Sequence, residues 1–260
     1  QLVEHAAARG VTMLALTDHD DIGGLDEARR VAAEKNITFI NGVEISVNWR
    51  DQTLHIVGLG IDPDYPQLAQ GLVSIRDGRT VRARNIAAQL DKFGIHGSFE
   101  GACSHAGDGQ LIGRMHFARF LVQRGYAKDA KSVFKKYLVK GKPGYAPHIW
   151  VPLSDAISWI RGSGGRAVIA HPGRYKLGRD ALDELLLEFR ALGGEAIEVV
   201  TSSHTPEQSL LFARHTQRLG LLASRGSDFH GPGESYFDLG RMPELPPDCT
   251  PIWHDWHGIM

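Results

Sequence analysis

Short apolar runs alternate with amphipathic stretches along the first third of the chain. Residues Leu2 to Arg9 follow a helical spacing, and Gly10 stands where helices commonly end in a left-handed glycine. Val11 to Leu16 is a short apolar run of the kind that forms a strand buried in a parallel sheet. The pattern then predicts an amphipathic helix over Leu25 to Lys35 and a strand over Ile37 to Ile40. Ile45 to Trp49 and Leu54 to Leu59 are expected to pair as a hairpin across Arg50-Asp51-Gln52.

From Pro66 to Pro147 the strand signals disappear. Helical patterns take their place over Pro66 to Phe93, Leu111 to Arg124 and Lys128 to Leu138. Gly- and Pro-rich stretches, Asp62-Pro-Asp-Tyr-Pro66 and Gly141-Lys-Pro-Gly-Tyr145, flank this segment, which reads as a helical insertion over residues 66–147. Residues 1–65 and 148–260 then form the main domain. Beyond Ser154 the alternation resumes, with helices over 154–162 and 180–192 preceding strands Arg166 to Ala170 and Glu195 to Val200. Thr205, Pro206 and Gln208 have the spacing of a capped helix start, and a strand over Leu221 to Ser224 follows. Strand–helix alternation on this scale implies an α/β fold with a parallel sheet, either open or closed as a barrel.

The predicted strands run out into imidazoles and carboxylates. The first ends in Thr17-Asp18-His19-Asp20, the second in Gly42-Val43-Glu44, and His55 starts the return strand of the hairpin. Later strands lead into His171-Pro172, Ser202-Ser203-His204 and Gly226-Ser-Asp228-Phe-His230. In parallel α/β folds the carboxyl ends of the strands share one face, and that face holds the active site. A lone histidine at a strand end is more often a hydrogen-bonded rim residue than a ligand, and Thr17 to Asp20 alone reads equally as a helix-entry turn. Independent accidents, however, would scatter such residues along the chain. Imidazole and carboxylate together suit Zn, Mn or Fe. Asp228 and His230 are two apart, so they converge only if a turn follows the strand.

Composition narrows the partners. With 29 basic and 30 acidic side chains the net charge is -1, so no global field draws the chain to nucleic acid or membrane. No apolar run reaches the roughly 20 residues of a membrane span, and the first ten residues lack the pattern of a signal peptide. Two cysteines, outside any CxxC pair, build no disulfide framework, and a cytoplasmic setting is expected.

Thr17-Asp18-His19, Gly42-Val43-Glu44, His55, Ala170-His171-Pro172 and Ser227-Asp228-Phe229-His230 resemble successive motifs of the polymerase and histidinol phosphatase (PHP) family. Arg114-Met115-His116-Phe117-Ala118, Gly141 to Tyr145 and His171-Pro-Gly-Arg174-Tyr resemble its subgroup of 3′,5′-nucleotide bisphosphate phosphatases and 5′→3′ exoribonucleases. The resemblance implies a distorted, TIM-like (β/α)7 barrel with a helical cap and three divalent metal ions, manganese foremost, zinc or iron as alternatives. It implies that Glu44 and Asp228 serve the first metal, that Glu44 bridges to a second held by His55 and His171, and that His19 and His230 hold the third. A metal-bridged hydroxide is the implied nucleophile, on the 3′-phosphate of nucleoside 3′,5′-bisphosphates such as pAp and on short oligoribonucleotides. Histidinol-phosphatase-like or cyclic phosphodiesterase chemistry is the neighbouring alternative, and a non-catalytic PHP-like module the distant one.

The family opens with a His-x-His strand that is absent here, and His254-Asp-Trp-His257 has a different spacing. The opening part of the family pattern, with a central barrel strand, is therefore expected upstream of Gln1. Arg114, His116, Lys142, Arg174 and His204 are the expected substrate contacts, with His204 also a candidate catalytic group at the rim and Asp18 an orienting one beside Glu44. Arg79, Arg82 and Arg84 stripe one helix and are expected to be mostly solvated, with an RNA path as the other reading. Trp253 and Trp256 are expected to pack on the barrel, and His5, His96, His105 and His215 to lie at the surface. Oligomeric state is not encoded in any pattern of the sequence.

Overall fold

A computed structural model describes residues 1–106, 112–147, 150–231 and 235–256. Leu111 and His257, which figure in the sequence patterns, lie outside the described residues, as do residues 148 and 149 at the expected domain boundary. The elements run α1 (Leu2–Ala8), β1 (Met13–Leu16), α2 (Leu25–Glu34), β2 (Thr38–Trp49), β3 (Gln52–Leu59), α3 (Pro66–Asp91), α4 (Ser98–Ala106), α5 (Arg114–Gln123) and α6 (Ala130–Val133). They continue through β4 (Val151–Pro152), α7 (Leu153–Gly162), β5 (Arg166–Ile169), α8 (Arg179–Ala191), β6 (Ala196–Thr201), α9 (Pro206–Leu219) and β7 (Leu222–Gly226).

The chain divides into two compact units, one of Gln1–Leu72 with Trp150–Met260, the other Val73–Ile149. The first unit is a mixed α/β structure. Its strands follow the order β1-β2-β3-β5-β6-β7, with β4 paired to β2, and among the described residues no pairing joins β1 to β7. The expectation of a parallel sheet is corrected in part. β1 and β4 pair with β2 in parallel, as do β5, β6 and β7 in series, but β3 runs antiparallel to both β2 and β5. The hairpin causes this: Trp49 pairs with Gln52 across a two-residue turn in which Arg50 adopts φ 51°.

The two strands expected over 37–40 and 45–49 are one strand of 12 residues, β2. Asn41-Gly42 reads as a break because glycine punctuates strands, yet here it marks a close backbone approach. A Cβ at Gly42 would lie 2.6 Å from Thr17 Cγ2 and 2.8 Å from the Leu16 carbonyl oxygen. The first half of β2 therefore pairs with β1, and the second half with β3. Buried Val3, Ala6, Ala28, Ala32, Ile37 and Leu239 pack α1 and α2 beside β1. Trp253 and Trp256 pack with Val168, Ala196 and Ile252. At α9, Thr205 Oγ1 accepts the Gln208 N–H and Gln208 Oε1 accepts the Thr205 N–H, the reciprocal cap that the sequence predicts.

The second unit is helical. Its core holds Ile86, Leu90, Phe117, Leu121, Val133 and Leu138. The helix expected over 128–138 is a short α6 continued by a π-helical turn, Phe134–Leu138. Arg82, expected to be solvated, is half-buried and donates from Nε to the Ala146 carbonyl at 3.2 Å.

Candidate metal centre

All the residues of this site belong to the first unit. Beyond β1 the backbone runs alongside β2: Asp20 N–H donates to Glu44 C=O at 2.8 Å, and Glu44 N–H to Asp18 C=O at 3.0 Å. This ladder sets His19 opposite Glu44. Asp20, fully buried with φ 53°, fixes the segment by accepting from Ser46 N–H at 2.7 Å and Ser46 Oγ at 3.0 Å. Asp18 acts through its backbone here, its side chain being exposed.

Glu44 is 6% exposed and its carboxylate touches three imidazoles. Oε1 lies 3.0 Å from His55 Nδ1 and 3.0 Å from His171 Nε2, while Oε2 lies 3.5 Å from His19 Nδ1. His55 Nδ1 and His171 Nε2 are themselves 3.2 Å apart. The rings of His19 and His55 meet edge to face at 4.7 Å, and His230 extends the row at 6.1 Å from His19. Burial raises the Glu44 carboxyl, but hydrogen bonds from His171 and His55 outweigh it and hold the group well below the usual carboxylate range.

These donors fit a divalent cation. The ligand atoms of His19, Glu44 and His55 all lie within 4.8 Å of one another. Metal–nitrogen and metal–oxygen bonds of roughly 2.0–2.2 Å bring neighbouring ligands to about 3 Å at right angles. That is the spacing of Glu44 Oε1, His55 Nδ1 and His171 Nε2. His171 Nδ1 is also buried with no hydrogen-bond partner among the described residues.

Further elements hold these ligands in place. His171 sits in the left-handed region, φ 30° and ψ 55°, and its N–H donates to Glu198 Oε2 at 2.5 Å. Glu198 is buried on β6, and burial pushes its carboxyl well above the ordinary range, with the charges of Glu44 and Asp228 acting the same way. Tyr175 OH accepts the His55 N–H at 2.9 Å and donates to the Ala170 carbonyl at 2.8 Å, tying β3 to the end of β5. Asp228 has φ 50°, the turn that the spacing of Asp228 and His230 requires, and Oδ2 accepts from Arg174 Nη1 at 2.8 Å. Among the described residues, three of the five non-glycine residues with positive φ, Asp20, His171 and Asp228, thus lie in the site, where backbone strain concentrates.

Some expected site residues occupy other positions. His204 Nε2 accepts the Gly173 N–H at 2.9 Å and Nδ1 faces the Val199 carbonyl at 3.0 Å, so both ring nitrogens are engaged within the protein. Burial lowers its pKa, which favours the neutral ring. Arg114, His116 and Lys142 belong to the second unit. There His116 Nδ1 accepts the Gly113 N–H at 3.1 Å, capping α5, and Arg114 lies over the Phe134 ring. Two histidines read as surface groups are half-buried. His5 Nε2 is 2.6 Å from Asp238 and its ring stacks on Phe229, and the His215 side chain is only 11% exposed. Sequence reasoning passed over Glu198, Tyr175 and Ser46. Glu198 left a signal, as the one carboxylate inside the apolar run Ala196-Ile-Glu-Val-Val200.

Comparison with known proteins identifies the group. The model of the PHP domain matches residues 1–145. A protein of Chromobacterium violaceum named 3′,5′-nucleoside bisphosphate phosphatase is 53% identical over 98% of this chain and 90% of its own length. A 5′-3′ exoribonuclease of Haemophilus influenzae is 40% identical over 97% of this chain and 91% of its own. A solved structure from Bifidobacterium adolescentis, described as a metal-dependent phosphoesterase, superposes with a TM-score of 0.78 at 25% identity, covering 98% of this chain and 88% of that one. The two named enzymes are hydrolases of phosphoester bonds. The chain therefore belongs to the PHP domain family.

Proposed function

We propose that this chain hydrolyses phosphoesters, with the 3′-phosphate monoester of nucleoside 3′,5′-bisphosphates such as pAp as its substrate and the phosphodiester bonds of short oligoribonucleotides as a further one. The chain is an enzyme of the phosphoester hydrolase class that its relatives share. The observation that carries the reading is the Glu44 carboxylate, shared by imidazoles delivered from three separate stretches of backbone. The names of the Chromobacterium violaceum and Haemophilus influenzae relatives supply the two substrate classes.

In this proposal Glu44 would hold divalent cations together with His55, His171 and Asp228, and His19 and His230 would hold a further one. Manganese is the preferred metal. The fold is a distorted (β/α)7 barrel over residues 1–65 and 148–260, carrying the insertion at 66–147. When bound, divalent cations supply Lewis-acid stabilisation of phosphate charge and lower the pKa of water. The side chains do the rest by position. Glu44, held ionised by its imidazoles, keeps a permanent negative charge where cations gather. Arg174 already extends a guanidinium to Asp228, and its half-exposed head leaves donors for a phosphate oxygen. Asp18 orients the backbone beside Glu44. His204 fixes Gly173 and through it Arg174, so positioning suits it better than direct catalysis. Arg114, His116 and Lys142, in the second unit, are assigned to phosphates of the oligoribonucleotide substrate.

Phosphate release from pAp in the presence of Mn²⁺ tests the reading. Wild-type protein should turn over, and Glu44→Gln should not. Equal rates in the two, or preference for histidinol phosphate or a cyclic phosphodiester over pAp by kcat/KM, would overturn it.

A further inference from the structure

The second unit contains a pocket of about 560 Å³ whose lining includes Gln89, Phe93, Lys136, Lys142, Pro143 and Tyr145. Phe93 is 63% exposed, an unusual position for a large aromatic ring with no core to fill. Two lysine side chains flank the pocket, and among the described residues no carboxylate lines it. Aromatic faces beside cations that form no ion pair among the described residues suit stacked bases strung between phosphates, whereas an apolar protein partner would leave the ammonium groups buried and unpaired.

The walls are held in place before any ligand arrives. Gly144 N–H donates to the Tyr137 carbonyl at 2.8 Å, and Tyr145 N–H to the Lys142 carbonyl at 2.9 Å. Lys136 comes from the π-helical turn Phe134–Leu138, a rare geometry that recurs at functional sites. The positive field continues past Tyr145. Arg82 and Arg114 lie near that ring, and neither forms an ion pair among the described residues. Burial, with the neighbouring charges of Arg114 and Arg79, lowers the Arg82 guanidinium to about 10, so the cluster is one that an anion would relieve.

We propose that this pocket is a binding site for single-stranded RNA, which stacks a base on Phe93 and Tyr145 and sets the adjoining phosphates against Lys136 and Lys142. The site deepens the oligoribonucleotide part of the proposed function and rests on that reading for the RNA's role as substrate. Binding itself stands on the pocket alone. Phe93 and Lys136 therefore govern longer substrates and leave a mononucleotide bisphosphate unaffected.

The test measures fluorescence anisotropy of a labelled, 5′-phosphorylated five-nucleotide RNA with the full chain in EDTA, where no turnover interferes. Phe93→Ala and Lys136→Ala, both at exposed positions, should each weaken binding about tenfold. Lys136→Ala should also flatten the salt dependence by about 0.7 in log–log slope. In parallel, pAp hydrolysis with Mn²⁺ should stay within about twofold of wild type in both variants. Unchanged RNA affinity in both variants overturns the inference, as does equal loss of pAp turnover. Competition by polyglutamate as strong as by unlabelled RNA also overturns it, by revealing a general anion patch. Wild-type protein that binds RNA through these residues yet hydrolyses nothing supports this site and removes the phosphoesterase reading.

Discussion

The backbone N–H of His171 donates to the buried carboxylate of Glu198 at 2.5 Å, and this contact holds a left-handed histidine against Glu44. Burial raises Glu198 above its ordinary value of 4.5, so between that value and its folded one the native state keeps a proton that the unfolded chain has lost. Stability from this group is thus present below about pH 4.5 and falls as pH rises. Glu198→Gln keeps an acceptor for His171 and removes the charge. In metal-free protein its melting temperature should rise above wild type with increasing pH, and the gap should close near pH 4.5. Glu198→Ala leaves the N–H unpaired and should cost about 1–3 kcal/mol near pH 4.5, a cost that shrinks as pH rises because the wild type loses its own stability there. Thermal denaturation in EDTA between pH 4 and 8 checks both; a gap independent of pH would refute the assignment.

Gly42 sets the distance between β1 and β2, and so between Thr17 to His19 and Glu44. A methyl group there would meet Thr17 Cγ2 at 2.6 Å and the Leu16 carbonyl at 2.8 Å. The carbonyl belongs to the sheet backbone and cannot step aside. Gly42→Ala should cost about 1–3 kcal/mol, lowering Tm by about 2–4 °C per kcal/mol. Calorimetry that finds a variant as stable as wild type would show that β1 moves freely.

How the site was legible in the sequence follows from what its parts are made of. His19, Glu44, His55, His171, Asp228 and His230 stood out because polar ligands after apolar strands break a simple pattern. The supports left weaker traces. Ser46 and Tyr175 work through hydrogen bonds to Asp20 and to the His55 backbone, which no local pattern records. Glu198 was visible as a charge in an apolar strand, but only tertiary packing shows that it faces His171. The unbroken β2 was misread because glycine signals both a turn and a close approach, and only the neighbouring strand decides between them. His5 was misread for the same reason, its partners Phe229 and Asp238 lying more than 200 positions away.

His204 separates positioning from chemistry. Its Nε2 accepts from Gly173 N–H, and Arg174 follows in the chain. His204→Ala should raise KM about tenfold, the worth of one hydrogen bond, and leave the shape of the kcat–pH profile intact. His204→Gln, which can still accept from Gly173, should recover much of the loss. Disappearance of one limb of the profile in His204→Ala would instead make this residue a proton carrier.

Metal binding should stabilise the fold through Glu44. A ligand at 100 times its Kd contributes about 2.7 kcal/mol to folding. Adding Mn²⁺ to metal-free protein should therefore raise Tm by about 5–10 °C for a chain of this size. Glu44 touches His19, His55 and His171, so its loss reaches every imidazole in the row that it links. Glu44→Gln should bind less metal by mass spectrometry, lose the thermal shift and lose more than about a hundredfold in activity, since even outer-sphere partners of ligands are worth 10–100-fold. Imidazoles coordinate only when neutral, so the wild-type shift should shrink on acidification as protons compete for the same nitrogens. An undiminished shift in Glu44→Gln would place the metal elsewhere, and with it the chemistry proposed for these six residues.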